Sequence, residues 1–116
     1  MRNLGWLVKH AKDEGIKIPK NPQDMIVVEY VDCLPLYSLL VKHKLTDLDI
    51  LIIDTEGYDF EIIRGIDFDT IKPKIIIFEY TNLSGNAFRH CKQLLQNNGY
   101  KLNSDELNVI ARRMDL

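Results

Sequence analysis

Three carboxylates stand where apolar strands should end. In Leu48-Asp49-Ile50-Leu51-Ile52-Ile53-Asp54-Thr55-Glu56-Gly57-Tyr58-Asp59-Phe60-Glu61 an apolar run stops at an acidic stretch and a glycine, then restarts with helical spacing. Lys74-Ile75-Ile76-Ile77-Phe78-Glu79-Tyr80 repeats the plan with Glu79 at its end. A carboxylate held at a site can accept the proton of a reacting hydroxyl, or hold a divalent ion that does so. Asp54 and Glu56 are the candidate catalytic residues, and Glu79, Tyr80 and Asn82 the candidate substrate contacts. Neighbouring strands lie about 4.8 Å apart, so the Glu79 carboxylate can approach that of Asp54. Oxygen ligands would favour magnesium, calcium or manganese, but the spacing completes no ligand set and metal binding stays unassigned.

Each of these residues also has a plain structural reading. Asp54 can order loop amides, and Glu56, at the start of a helix, can stabilise free N–H groups and the helix dipole. Gly57 permits a tight turn from strand to helix, and Tyr58 can cover core. His10, His43 and His90 sit on expected helices without an acid partner at recognisable spacing.

The elements that would position the acids follow from periodicity. Leu4, Leu7, Val8 and Ala11 make one face of a short helix that Gly15 should end, and residues 16–24 read as a surface connection. Residues 25–31 are rich in β-branched side chains and predict a strand. Pro35 then suits the start of a helix with Leu36, Leu39, Leu40 and His43 on one face. The 48–54 strand, a helix from about Tyr58, the 74–80 strand, and a helix capped by Ser84 or Asn86 follow in turn. Residues 100–102 and 107–111, around Asn103-Ser104-Asp105-Glu106, predict a closing hairpin. Alternating strands and helices imply an α/β domain whose sheet is mostly parallel and covered on both faces.

At 116 residues with 46% apolar content, the chain has the makings of one modest core. A formal charge of -2 gives no overall attraction to nucleic acid or to anionic membrane, so neither is expected as a partner. Between Asp47 and Asp69 eight acids face one base, Arg64, and this end should repel phosphate unless a cation intervenes. Cys33 and Cys91 show no metal or disulfide spacing. There is no charged-then-apolar leader and no apolar stretch of about 18 residues, which makes a cytoplasmic setting the expectation.

The order strand, Asp-x-Glu-Gly-Tyr-Asp-Phe-Glu, helix, Ile-x-Pro-x-Ile-Ile-Ile-Phe-Glu-Tyr, helix ending in Asn-Gly-Tyr, hairpin resembles the carboxyl-terminal half of FkbM-type methyltransferases. The resemblance runs from about Val28 to Arg112, and its most specific piece is residues 53–63. It implies a truncated, Rossmann-like class I methyltransferase fold, with a carboxyl-terminal antiparallel hairpin on the mostly parallel sheet. Residues 1–24 would be an amino-terminal helix and connection, and 25–116 the methyltransferase-like half domain. The resemblance also implies S-adenosylmethionine as cofactor, a small-molecule acceptor such as a sugar or secondary-metabolite hydroxyl, and Asp54 as the motif aspartate. The family's cofactor site depends on a glycine-rich turn after its first strand and an acid ending its second. Neither occurs here, since no Gly-x-Gly is present, and the cofactor-binding residues of this chain stay unassigned.

In the family's sheet the 48–54 strand lies beside the first strand, so in this chain its edge is expected to be covered by residues 25–31 or by a second copy, with a homodimer favoured. The alternative from another class is a non-catalytic α/β module serving oligomerisation or partner binding. An acid cluster acting on phosphorylated substrates is weaker, because no glycine-rich phosphate loop accompanies it.

Overall fold

The computed structural model describes residues 4–115, which form two compact units divided between Cys33 and Leu34. In the first unit, helix α1 (Leu4–Asp13) ends as its sequence predicts. Gly15 takes a left-handed φ of 69°, and the Ile16 and Gly15 amides return to the Ala11 and Lys12 carbonyls at 2.8 and 3.0 Å, closing the orphan acceptors of the last turn. The Trp6 and His10 rings stack on α1 with centroids 4.9 Å apart. A 3₁₀ turn, Pro22–Met25, is capped by Asn21, whose side-chain oxygen accepts the Gln23 amide. Between it and α1 lies an apolar hollow of about 320 Å³.

The strand expected at 25–31 does not form. Met25 closes the 3₁₀ turn, and Val27, Val28, Tyr30 and Val31 are all exposed, Tyr30 at 98%. β-propensity measures fit to a pleated, half-buried surface, and no strand among the described residues supplies that surface here.

The second unit is built on helices α2 (Leu36–Lys42), α3 (Asp59–Arg64) and α4 (Gly85–Asn97) and strands β1 (Ile50–Ile53), β2 (Ile75–Glu79), β3 (Tyr100–Ser104) and β4 (Asn108–Arg113). Pro35 is the N-cap of α2, but the buried face of that helix is narrower than its pattern suggests. Leu40 is buried and Leu36 packs on the core, while Leu39 and His43 are exposed. Ser84 caps α4 by accepting the Ala87 amide at 3.2 Å, and Cys91 and Leu95 point into the core.

The strand order is β1-β2-β4-β3. β1 and β2 are parallel, with Ile50 opposite Ile75 and Ile53 opposite Phe78. β4 enters between β2 and β3 and is antiparallel to both. The sheet is therefore mixed, not mostly parallel. The hairpin forms as expected, but its second strand takes the inner position, which makes two of the three ladders antiparallel.

Alternation sorts the strand residues into two faces. Ile53, Ile76, Phe78, Val109, Ala111 and Tyr100 are buried on one face, joined by Ile63, Ile66, Phe68, Ile71, Cys91 and Leu95. The other face is left open. Ile52 is 68% exposed and Ile50 52%, which contradicts the expectation of strands covered on both sides. Runs of isoleucine suit double burial, but composition does not supply the second layer. No helix among the described residues is long and apolar enough to cross a membrane.

Candidate functional site

Two strand-to-helix connections meet at the carboxyl ends of the parallel pair, the usual place for ligands in open α/β sheets. The first leaves β1 at Ile53 and turns through Glu56 (φ 53°) and Gly57 (φ 107°) into α3. Two successive residues of positive φ make a tight turn, and Glu56, a non-glycine residue in the left-handed region, stores strain of the kind found at sites. A Cβ on Gly57 would stand 3.4 Å from the Asn82 carbonyl oxygen, because the second connection, leaving β2, passes directly over the turn.

Asp59 holds both connections. It is fully buried, and its carboxylate accepts the Thr55 hydroxyl at 2.8 Å, the Gly57 amide at 3.3 Å and the Glu79 amide at 3.2 Å. One side chain at the start of α3 thus orders the turn that carries Asp54 and Glu56 and ties it to the end of β2. Cys91 packs nearby, its thiol pushed up to about 12 by burial and by the negative charge of Asp59. It is a neutral part of the core.

The sequence-predicted acids converge. Asp54, Glu56 and Glu79, with Leu107 and Asn108, line an open cleft of about 310 Å³. The Asn82 amide donates to Glu79 at 3.0 Å and to Glu56 at 3.4 Å, so one neutral side chain bridges acids from two loops and relieves their repulsion. The Thr81 hydroxyl donates to the other Glu79 oxygen. Asp54 and Glu56 are exposed and Glu79 is half-buried. A hydroxyl compound entering the cleft would meet carboxylate acceptors from both connections. No group of three His, Cys, Asp or Glu side chains among the described residues is close enough to hold a metal ion.

Tyr80 is turned elsewhere. Its ring stacks on Phe88 with centroids 4.9 Å apart, and its hydroxyl donates to the Asp105 carbonyl at 3.1 Å. It braces the hairpin loop against α4. That loop is pinned in turn by the Asp105 carboxylate, which accepts the Asn108 amide at 2.6 Å and the Leu107 amide at 2.9 Å. These backbone donors hold the Asp105 carboxyl below its ordinary range.

Sequence reasoning missed Asp59, Leu107 and Asn108. An acid in the first turn of a helix looks like any dipole-stabilising residue, and only the β2 amide reveals what Asp59 does. Asp105 followed three residues later by Asn108 was the visible signal for a side-chain-stabilised turn.

A family model described as Methyltransferase FkbM domain matches residues 10–102. Comparison with curated proteins and comparison with solved structures each find no match.

Proposed function

The chain belongs to the FkbM methyltransferase domain family, and from that premise we propose that it supplies the acceptor side of a methyl transfer from S-adenosylmethionine to a hydroxyl of a sugar or secondary metabolite. The observation that carries this reading is the convergence of Asp54, Glu56 and Glu79 on one cleft at the carboxyl ends of β1 and β2. A hydroxyl oxygen that takes a methyl group must lose its proton, and a carboxylate within hydrogen-bond reach can take it. Asp54 has that role. Glu79 and Asn82 orient the acceptor, and Glu56 shares the Asn82 amide. Asp59 is a positioning residue.

The residues around the cleft do not fit the cofactor. Of the turns that line it, only the first holds a glycine, Gly57, and its open side is taken up by Asn82 rather than left free for a ligand. A second reading, a non-catalytic oligomerisation or partner-binding module, draws its support from the open isoleucine face of the sheet.

Amide chemical-shift mapping with the full chain tests the acceptor role. Titration with millimolar monosaccharides and hydroxylated secondary metabolites should move the amides of residues 54–57 and 79–82, and Asp54→Asn should weaken the response. Shifts confined to other surfaces, or none with any acceptor, would sink it.

A further inference from the structure

Two cations face each other at one corner of the sheet. Lys101 on β3 stands directly opposite Arg112 on β4, and neither has an acidic partner among the described residues. Like charges placed so are destabilising. The neighbouring cations are treated differently, since Lys74 is bonded to Asp49 and Arg113 to Asp115, each at 2.5 Å. The acids at the carboxyl end of β2 are too far away to serve. Arg112 pairs with Ile75, four residues before Glu79, a separation of about 13 Å at the rise of a strand, and exposed charges act over roughly 8 Å at physiological ionic strength.

The pair also borders a space for a ligand. Lys101, Asn103, Arg112, Arg113 and Met114 line an open hollow of about 470 Å³. Lys101, Asn103 and Arg112 share the open face of the sheet, because Tyr100, Leu102 and Ala111 beside them turn to the core. Cβ atoms at directly opposite positions lie about 5 Å apart, so two long side chains can close on a single anion. Arg112 brings a planar fork that fits two oxygens at once, Lys101 a compact charge, and Asn103 an amide donor. Asp115, which follows Met114, is already bonded to Arg113.

We propose that this corner binds a phosphate group, carried by a small molecule or free as inorganic phosphate. A double negative charge spread over several acceptor oxygens answers both cations together, which a single carboxylate does not. Two cations make a point site and not the long basic track along which nucleic acid is held. Met114 beside them offers an apolar seat for the organic part of a phosphate ester. Occupancy cancels the repulsion across the β3–β4 ladder, so phosphate stabilises that ladder as it fills the hollow. The site lies at the opposite end of β2 from the acid cleft and does not depend on the methyl-transfer reading.

Titration of the full chain with inorganic phosphate at constant ionic strength, followed through amide and arginine side-chain resonances, is the test. Saturable shifts centred on residues 100–103 and 111–114 are expected at millimolar phosphate or below. Arg112→Ala and Lys101→Ala should each raise the dissociation constant about tenfold, the scale of one lost charge-assisted hydrogen bond. Arg112→Lys should raise it less, and Lys12→Ala on α1 should change nothing. Both altered side chains are exposed, and unchanged resonances elsewhere confirm that the variants keep the fold. Phenyl phosphate separates the two sources. Tighter binding than inorganic phosphate, with the Met114 methyl resonance displaced, identifies an ester as the ligand, and equal binding identifies inorganic phosphate. Acetate acting on the same residues as strongly as phosphate, shifts that never saturate or that spread over all exposed lysines, or variants that bind like the unaltered chain would each overturn the site.

Discussion

Asp59 Oδ1 accepts the backbone N–H of Glu79 at 3.2 Å, so a side chain on α3 fixes the end of a strand twenty residues further on. The same carboxylate is fully buried and also holds Thr55 and Gly57. Asp59→Ala would leave a hydroxyl and two amides without their acceptor. Thr55 and Gly57 are exposed and can turn to water, so the cost is that of three lost hydrogen bonds to a buried acceptor, and a loss of about 2–4 kcal/mol is expected. Urea unfolding measures it. A midpoint equal to that of the unaltered chain would show that the two connections are held by other contacts.

Asp54 is exposed and outside that network, which separates chemistry from folding. In a reconstituted enzyme Asp54→Asn should keep the fold and lower turnover by about two orders of magnitude, the scale of a lost general base. Glu56→Gln should cost less, because the amide oxygen of Gln can still accept from Asn82. Equal effects of the two changes on rate would remove the distinction between them.

Gly57→Ala tests the turn. Its φ of 107° disfavours any side chain, and the added Cβ would press on Asn82 from 3.4 Å. A destabilisation of at least about 1 kcal/mol is expected, with Asn82 amide resonances displaced. Stability unchanged by the substitution would show that the turn relaxes freely.

Alkaline unfolding should report on two buried groups. Burial raises the Tyr100 hydroxyl, which donates to the Pro73 carbonyl at 2.6 Å, to about 12, and raises the Cys91 thiol to about 12. In both, the neutral form is favoured by folding. Their contribution is fully present below the ordinary values, 10.0 and 9.0, and is lost as pH rises toward about 12, because the unfolded chain releases protons that the folded chain keeps. Chemical denaturation at a series of pH values should show stability falling from about pH 9 upward. In Tyr100→Phe the fall above the ordinary tyrosine value should be shallower, and an identical slope would assign the loss to other groups.

Much of this was legible along the chain. An apolar run ending in Asp54-Thr55-Glu56-Gly57 specifies strand, tight turn and helix by local chemistry alone, and Ser84 marks its helix start in the same way. The convergence of Asp54, Glu56 and Glu79 followed from parallel neighbours ending together. Residues 25–31 misled because Val27, Val28 and Val31 favour a strand but cannot provide the neighbour it needs. The place of β4 was not legible either, since a hairpin signal says that two strands pair and not which of them meets β2. Asp59 stayed hidden because its third partner, the Glu79 amide, is distant in sequence.

Strand β3 is bonded to the sheet only through β4, which is made after it. Residues 100–104 can join the sheet only once residues 108–113 have paired with β2, and until then β2 offers an unpaired edge beside exposed core. Stretches of ordered sheet that depend on the last strand fold late and are vulnerable to aggregation in the interval. A chain cut short before Asn108 should consequently be protease-sensitive across β2 and α4, and one that extends past Arg113 resistant.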